Sequence, residues 1–460
     1  MSLLPVISKL LEKLVQKAIN QYVLSSGLYG AAAYYGLTTN SGKRLLETAY
    51  NQCLRVATGC VPSTPLTKLY EVAGAPSLHT KITRQAGNLA NIALRHSTPT
   101  PARTVLSARV PQRIRQDKTT WQQLAQETLP TQQFLPLPSR PPPWAKVENL
   151  TIHITDCSRD DPPHVRLSAA LECLDKVSSL CAQSQSYEVW TDGSVTDEGT
   201  GGSGYLVIKV TDGQRSEVCS GSDPAGVVAT SFTAEVTAAV AGLSAAEDLL
   251  TAGLTNTDGQ PSLPDLILVT DSRSLTDSVA GDPYRMSPDT IPVFEAIKSI
   301  SQLVTSIHLV WVSSHCGLFL NDKVDRLAAA GTQVPQGHVR LPVQATKTAV
   351  RKATRYPPPL LDTKKLGDLR TRKASCKLNQ LMTGHCSLLN GYLHRIGAAH
   401  SPHCVFCPGV VEDAMHFLFD CPGRAQSRHS AALQSSSSVS QAVAESPYNI
   451  ARFLQLEKLL

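Results

Sequence analysis

Four acidic residues stand where a folded chain can bring carboxylates together. Asp192 closes the run Tyr187-Glu188-Val189-Trp190-Thr191, which alternates like a strand and breaks at Asp192-Gly193-Ser194. Glu235 falls in the first turn of a helical stretch, Asp271 follows the run Asp265-Leu266-Ile267-Leu268-Val269-Thr270, and Asp325 lies in a late helix. Crowded at one end of a sheet, four carboxylates would raise one another's pKa and stay ionised only beside cations. Hard Mg²⁺ takes oxygen ligands, and two such ions about 4 Å apart activate an attacking water and stabilise a leaving 3′ oxygen. The residue types therefore point to phosphodiester hydrolysis with two Mg²⁺ (or Mn²⁺). Taken singly each has an ordinary reading: Asp-Gly-Ser is a common turn, Asp271 can be an N-cap, and Asp325 can face solvent.

A second group has soft ligands. Cys404, Cys407, His416 and Cys421 are spaced two, eight and four residues apart. Three thiolates and one imidazole make a closed tetrahedral set for one structural Zn²⁺, with no open position for catalysis. The other cysteines of the twelve are scattered through the chain and read as reduced thiols.

The elements that must hold these groups follow from length and pattern. With 460 residues, 42% hydrophobic and 17% charged, the chain is long enough for two or three domains. The opening Met1-Ser2-Leu3-Leu4-Pro5 runs into Lys9, Glu12 and Lys13 without a secretory apolar core, and no run is long enough to span a membrane. The expectation is an intracellular protein, nuclear or cytoplasmic and not secreted. Net charge is +6, yet residues 340–377 hold eleven Lys and Arg against Asp362 and Asp368, a local +9. Such an arm, with Arg351, Lys352 and Arg355, suits contact with nucleic acid.

Residues 1–96 read as helical, with apolar Leu3, Leu4, Ile7, Leu10, Leu11 and Leu14 along one face. Residues 97–166 carry Thr98-Pro99-Thr100-Pro101, Leu135-Pro136-Leu137-Pro138 and Pro141-Pro142-Pro143-Trp144 and read as a linker, with a short apolar strand at Leu150 to Ile154 that can belong to the next domain. Residues 167–332 alternate strands and helices. The helix from Ser231 turns Phe232, Val236, Ala239, Val240, Leu243 and Ala246 toward a sheet. A basic Pro-containing tether (333–365), the zinc module (366–430) and a tail (431–460), whose serine-rich start from Ala431 to Gln441 is expected to be flexible, complete the chain.

The order strand-Asp, helix-Glu, strand-end-Asp, then Trp311-Val312-Ser313-Ser314-His315-Cys316-Gly317 and Asn321-Asp322-Lys323-Val324-Asp325, resembles the ribonuclease H family over about 145 residues. The resemblance implies an α/β fold, a mixed five-stranded sheet flanked by helices. It also implies metal ligation by Asp192, Glu235, Asp271 and Asp325, and endonucleolytic cutting of the RNA strand of an RNA–DNA hybrid. His315 matches a flexible-loop histidine that assists proton transfer or product departure. Ser194, Ser231, Thr233 and Asn321 are the expected contacts to the hybrid, whose 2′-hydroxyls small polar groups can read. Asp322 and Val324 depart from the family's usual Glu and small residue, and neither is a ligand.

Two further segments resemble non-LTR (LINE-type) retrotransposon reverse transcriptases. Ser2 to Lys13 is similar to their fingers motif, whereas Leu28-Tyr29-Gly30-Ala31 and Arg44 to Gly59 already resemble the region after the palm. The Cys-Cys-His-Cys group resembles their terminal zinc-knuckle-like cluster. No aromatic-x-Asp-Asp sequence occurs, and Asp160-Asp161 precedes Pro162-Pro163 in a loop-like context. The resemblance implies loss of the polymerase centre and a helical N-terminal remnant. The other readings are a catalytically idle nucleic-acid-binding remnant using the basic arm and zinc module, and a decayed element that folds poorly.

Overall fold

The structure is a computed structural model that describes residues 30–108, 118–158, 160–181, 185–254, 263–356 and 371–460. The fingers-like segment Ser2 to Lys13, and Pro357-Pro358-Pro359 of the tether, lie outside the described residues. Two compact units emerge, one from residues 87–109 and 128–353, the other from residues 1–86, 110–127 and 354–460.

The first unit is built on a mixed sheet of strands β1 (Leu150–Ile154), β2 (Gln185–Val195), β3 (Gly201–Thr211), β4 (Gln214–Gly226), β5 (Asp265–Thr270) and β6 (Ile307–Trp311). Their order is β1-β6-β5-β2-β3-β4. β2, β3 and β4 form an antiparallel meander, while β1, β6, β5 and β2 run parallel. The β3–β4 turn is a two-residue hairpin in which Asp212 (φ 50°) and Gly213 (φ 78°) both take positive φ, the type I′ geometry that matches strand twist. Every residue of β5 and β6 is buried, as expected of central parallel strands covered on both faces.

Six strands replace the five expected. Leu150 to Ile154 pairs residue by residue with Ile307 to Trp311, so the short apolar run between Pro-rich stretches adds a parallel edge strand. The helix Pro163–Leu180 follows it.

Period-two alternation divides the core into two layers. On one face Tyr187, Val189, Leu266, Leu268, Ile307 and Leu309 meet the helices Ser231–Leu254, Arg273–Ala280 and Ile291–Ile300. On the other face Trp190, Leu206, Ile267, Val269 and Val310 meet Ala170, Leu174 and Val177 of the helix Pro163–Leu180, and Val324 of the helix Phe319–Gly331. The latter helix lies almost backbone to backbone on β3: a Cβ at Gly204 would fall 2.4 Å from the Ala328 nitrogen and 2.6 Å from the Val324 oxygen.

The region read as a basic tether is partly helix. Val343–Ala353 is held at its start by Asp289, whose carboxylate accepts the Val343 and Gln344 N–H groups at 2.8 and 2.7 Å. Buried Arg95 donates to the carbonyls of Leu135, Leu341 and Pro342 and to Thr346 Oγ1. Its guanidinium pKa is lowered to about 10 by desolvation.

In the second unit Tyr50, Leu54, Leu69 and Ile82 share a core with Leu378, Leu381, Phe417, Ile450 and Phe453. The stretch Ala431 to Gln441, expected to be flexible, runs at its end into the helix Val439–Glu445, which the helix Pro447–Leu456 follows. Ser438 caps the first of these by accepting the Gln441 N–H at 3.1 Å, so serine serves here as a helix start.

Because backbone fills the space a side chain would need, Gly204→Val should lower unfolding stability by about 3 kcal/mol or more. Urea denaturation of the purified chain checks this, and an unmoved midpoint would contradict the packing described.

Candidate active site and metal centre

β2 ends beside β5, and the loop after β5 and the N-terminus of the helix Ser231–Leu254 converge on the same sheet end. One carboxylate oxygen from each of Asp192, Glu235 and Asp271 lies within 4.8 Å of the others. Asp325 hydrogen-bonds Asp192 and lines the same cleft, of about 510 Å³, together with Ser194, Ser231, Arg273, Ser314 and His315. All four acidic residues singled out in the sequence therefore face one cavity.

Local contacts fix Asp192, the Glu235 helix and Asp271. Gly193 donates its N–H to Asp192 Oδ1 at 2.8 Å. Thr230 and Thr233 cap the Glu235 helix reciprocally: Thr233 Oγ1 accepts the Thr230 N–H at 2.8 Å, and Thr230 Oγ1 accepts the Thr233 N–H at 3.2 Å. Trp311 Nε1 donates to the Asp271 carbonyl at 3.0 Å.

Burial first, then the Asp271 and Asp325 charges, push Asp192 up to about 7. Burial and the same kind of crowding hold Glu235 well above the carboxylate range. Asp271 is raised by burial too, although an Asn321 side-chain hydrogen bond and nearby His315 work against the rise. Glu235 Oε2 is buried without a hydrogen-bond partner. An unpaired buried carboxylate oxygen beside two further carboxylates fits a divalent cation with oxygen preference.

The structure separates the expected nucleic-acid contacts. Ser194 and Ser231 line the cleft. Thr233 is buried in the helix cap, and Asn321 is buried with its side chain hydrogen-bonded to Asp271. Arg351 and Lys352 lie exposed on the helix Val343–Ala353, and Arg355 is exposed beyond it. Two arginines went unremarked in the sequence. Arg273 is the one Arg or Lys among the described lining residues; it pairs with Asp277 at 2.8 Å and stacks over the Trp311 ring. Its place two residues after Asp271 was the available signal. Arg166 donates to the loop carrying His315.

In the second unit, Cys404, Cys407, His416 and Cys421 bring one ligand atom each within 4.8 Å of the rest. A bridge between His403 and Val411 and the Cys404 N–H to Val410 carbonyl bond of 2.8 Å shape the knuckle. Cys421 Sγ lies 3.6 Å from Cys404 Sγ and 3.8 Å from Cys407 Sγ. Zn–S bonds of about 2.3 Å in a tetrahedron would separate sulfurs by about 3.8 Å. His416 Nε2 is buried without a partner, which completes the fit to zinc.

No family model and no curated protein matches the chain. Among solved structures it is similar to ribonuclease H1 of the halophilic archaeon Halobacterium salinarum NRC-1, at 22% identity over 33% of this chain and 99% of that one, with a TM-score of 0.25. It is also similar to the N-terminal ribonuclease H domain of Rv2228c from Mycobacterium tuberculosis (20% identity, 32% and 94% covered, TM-score 0.26). A third is LC11 ribonuclease H1 in complex with an RNA/DNA hybrid (20%, 32% and 96%, 0.24). No helix among the described residues is long and apolar enough to cross a membrane.

The raised carboxyls set a sign for metal linkage. Between the free value of 3.8 and about 7 for Asp192, the folded chain binds more protons than the unfolded one, so metal-free stability falls as pH rises through that window. Added Mg²⁺ should therefore raise the melting temperature more at about pH 8 than at about pH 5. Equal shifts at both would contradict the site. Elemental analysis of the full chain should find one zinc, lost in Cys407→Ser together with thermal stability. Zinc retained in that variant would contradict the cluster.

Proposed function

We propose that the chain is an endoribonuclease that hydrolyses the RNA strand of RNA–DNA hybrids with two Mg²⁺ (or Mn²⁺), within a retrotransposon-derived protein that lacks a polymerase site. The observation that carries this reading is the convergence of Asp192, Glu235 and Asp271 within 4.8 Å, with Asp325 on the same cleft. These four residues would hold the ions. Bound there, divalent ions supply an activated water and charge stabilisation for the leaving 3′ oxygen.

The remaining roles belong to the chain's own groups. Exposed His315, at the cleft rim beside Asp271, is placed to carry a proton to or from the phosphodiester oxygens. Ser194 and Ser231 offer hydroxyls to the 2′-OH groups that set RNA apart from DNA. Arg351, Lys352 and Arg355 add phosphate contacts, and the zinc module (Cys404, Cys407, His416, Cys421) folds around one structural Zn²⁺. Assignment to the nucleus or cytoplasm belongs to the same proposal.

The full-length protein with Mg²⁺ should cut the RNA of a labelled hybrid and leave duplex DNA whole. Asp192→Asn should slow this by about 10³-fold or more, the scale of losing an electrostatic transition-state contact. An unchanged rate in that variant, or equal cutting of duplex DNA, would overturn the reading.

A further inference from the structure

We propose that Arg166 is the positioning residue of the His315 loop, and that the β1–helix extension at the sheet edge acts on catalysis through it. The inference rests on the reading that His315 moves a proton at the cleft. His315 lies between β6 and the helix Phe319–Gly331, exposed while its neighbours Ser313, Cys316 and Leu318 are buried. Its φ of 50° is left-handed, a conformation a non-glycine residue keeps only when its surroundings hold it there.

Arg166 supplies that hold from outside the loop. Its Nη1 donates to Ser313 Oγ at 3.1 Å and to the Ser314 carbonyl at 3.0 Å, the two residues just before His315. Ser314 and His315 both line the cleft. The helix bearing Arg166 is fixed by Ala170, Leu174 and Val177 in the same core that buries Cys316 and Leu318. The guanidinium therefore ties a packed element to the backbone on one side of His315, while Cys316 anchors the other. Arg166 touches none of the four carboxylates in the described contacts, so its loss should misplace the imidazole and spare the metal ligands.

Steady-state cleavage of an RNA–DNA hybrid by full-length wild type, Arg166→Ala, Arg166→Lys, His315→Ala and the double variant Arg166→Ala/His315→Ala tests this. Arg166→Ala should lower kcat about tenfold with KM changed less than about twofold, as expected for misplacement of a proton-transfer group. Arg166→Lys should recover most of the rate. In the His315→Ala background the Arg166→Ala change should cost nothing further. Should Arg166→Ala fail to fold, Ser313→Ala, which removes one acceptor and leaves the helix intact, should give a smaller kcat loss that likewise vanishes without His315. Equal losses with and without His315, or no loss in either variant, would overturn the inference. A wild-type chain that leaves the hybrid uncut would overturn the proposed function and this inference with it.

Discussion

The site depends on how closely β2 approaches the helix that carries Glu235. A Cβ at Gly193 would lie 2.3 Å from the Glu235 nitrogen and 2.5 Å from the Ala234 carbonyl carbon, so only glycine lets strand end and helix start meet. The meeting buries carboxylates together, and burial first, then the neighbouring acidic charges, raises the pKa of Asp192 and Glu235. Glycine does the same on the far side: Gly202 and Gly204 let the Asp325 helix rest on β3. Two tight helix–strand contacts, one on β2 and one on β3, thus bring Glu235 and Asp325 to the sheet end that carries Asp192, and the two-layer core holds the arrangement against repulsion.

Around this centre the unit adds elements that steady its rim. β1 pairs with β6, and the helix after β1 covers the sheet face from which the His315 loop departs. Elsewhere, Arg95 and Asp289 close the two kinds of backbone group at the start of the helix Val343–Ala353, carbonyls by the cation and N–H groups by the anion. The basic side chains Arg351 and Lys352 are therefore presented from an anchored helix instead of a loose arm.

Much of the site was legible because ligand and element share a local signal: alternation ahead of Asp192, an apolar stripe around Glu235, an apolar strand before Asp271. What escaped depended on partners distant in sequence. β1 reads as a strand from its own apolar run, but its place as the sixth, edge strand comes from pairing with Ile307 to Trp311, more than 150 residues on. The burial of Asn321 against Asp271 likewise comes from a partner far off in sequence. The serine run looked flexible by composition, whereas Ser438 starts a helix whose Val443 is fully buried. Nothing around Arg166 in the sequence announces a contact with Ser313 and Ser314.

On the proposed function, Asp192, Glu235, Asp271 and Asp325 form a divalent-metal centre. Anomalous diffraction from crystals of the full-length protein soaked in Mn²⁺ addresses it directly. Two peaks about 4 Å apart, touching Asp192, Glu235, Asp271 and Asp325 and absent in Asp192→Asn, are the expected result. A wild-type cleft without a manganese peak would contradict the account.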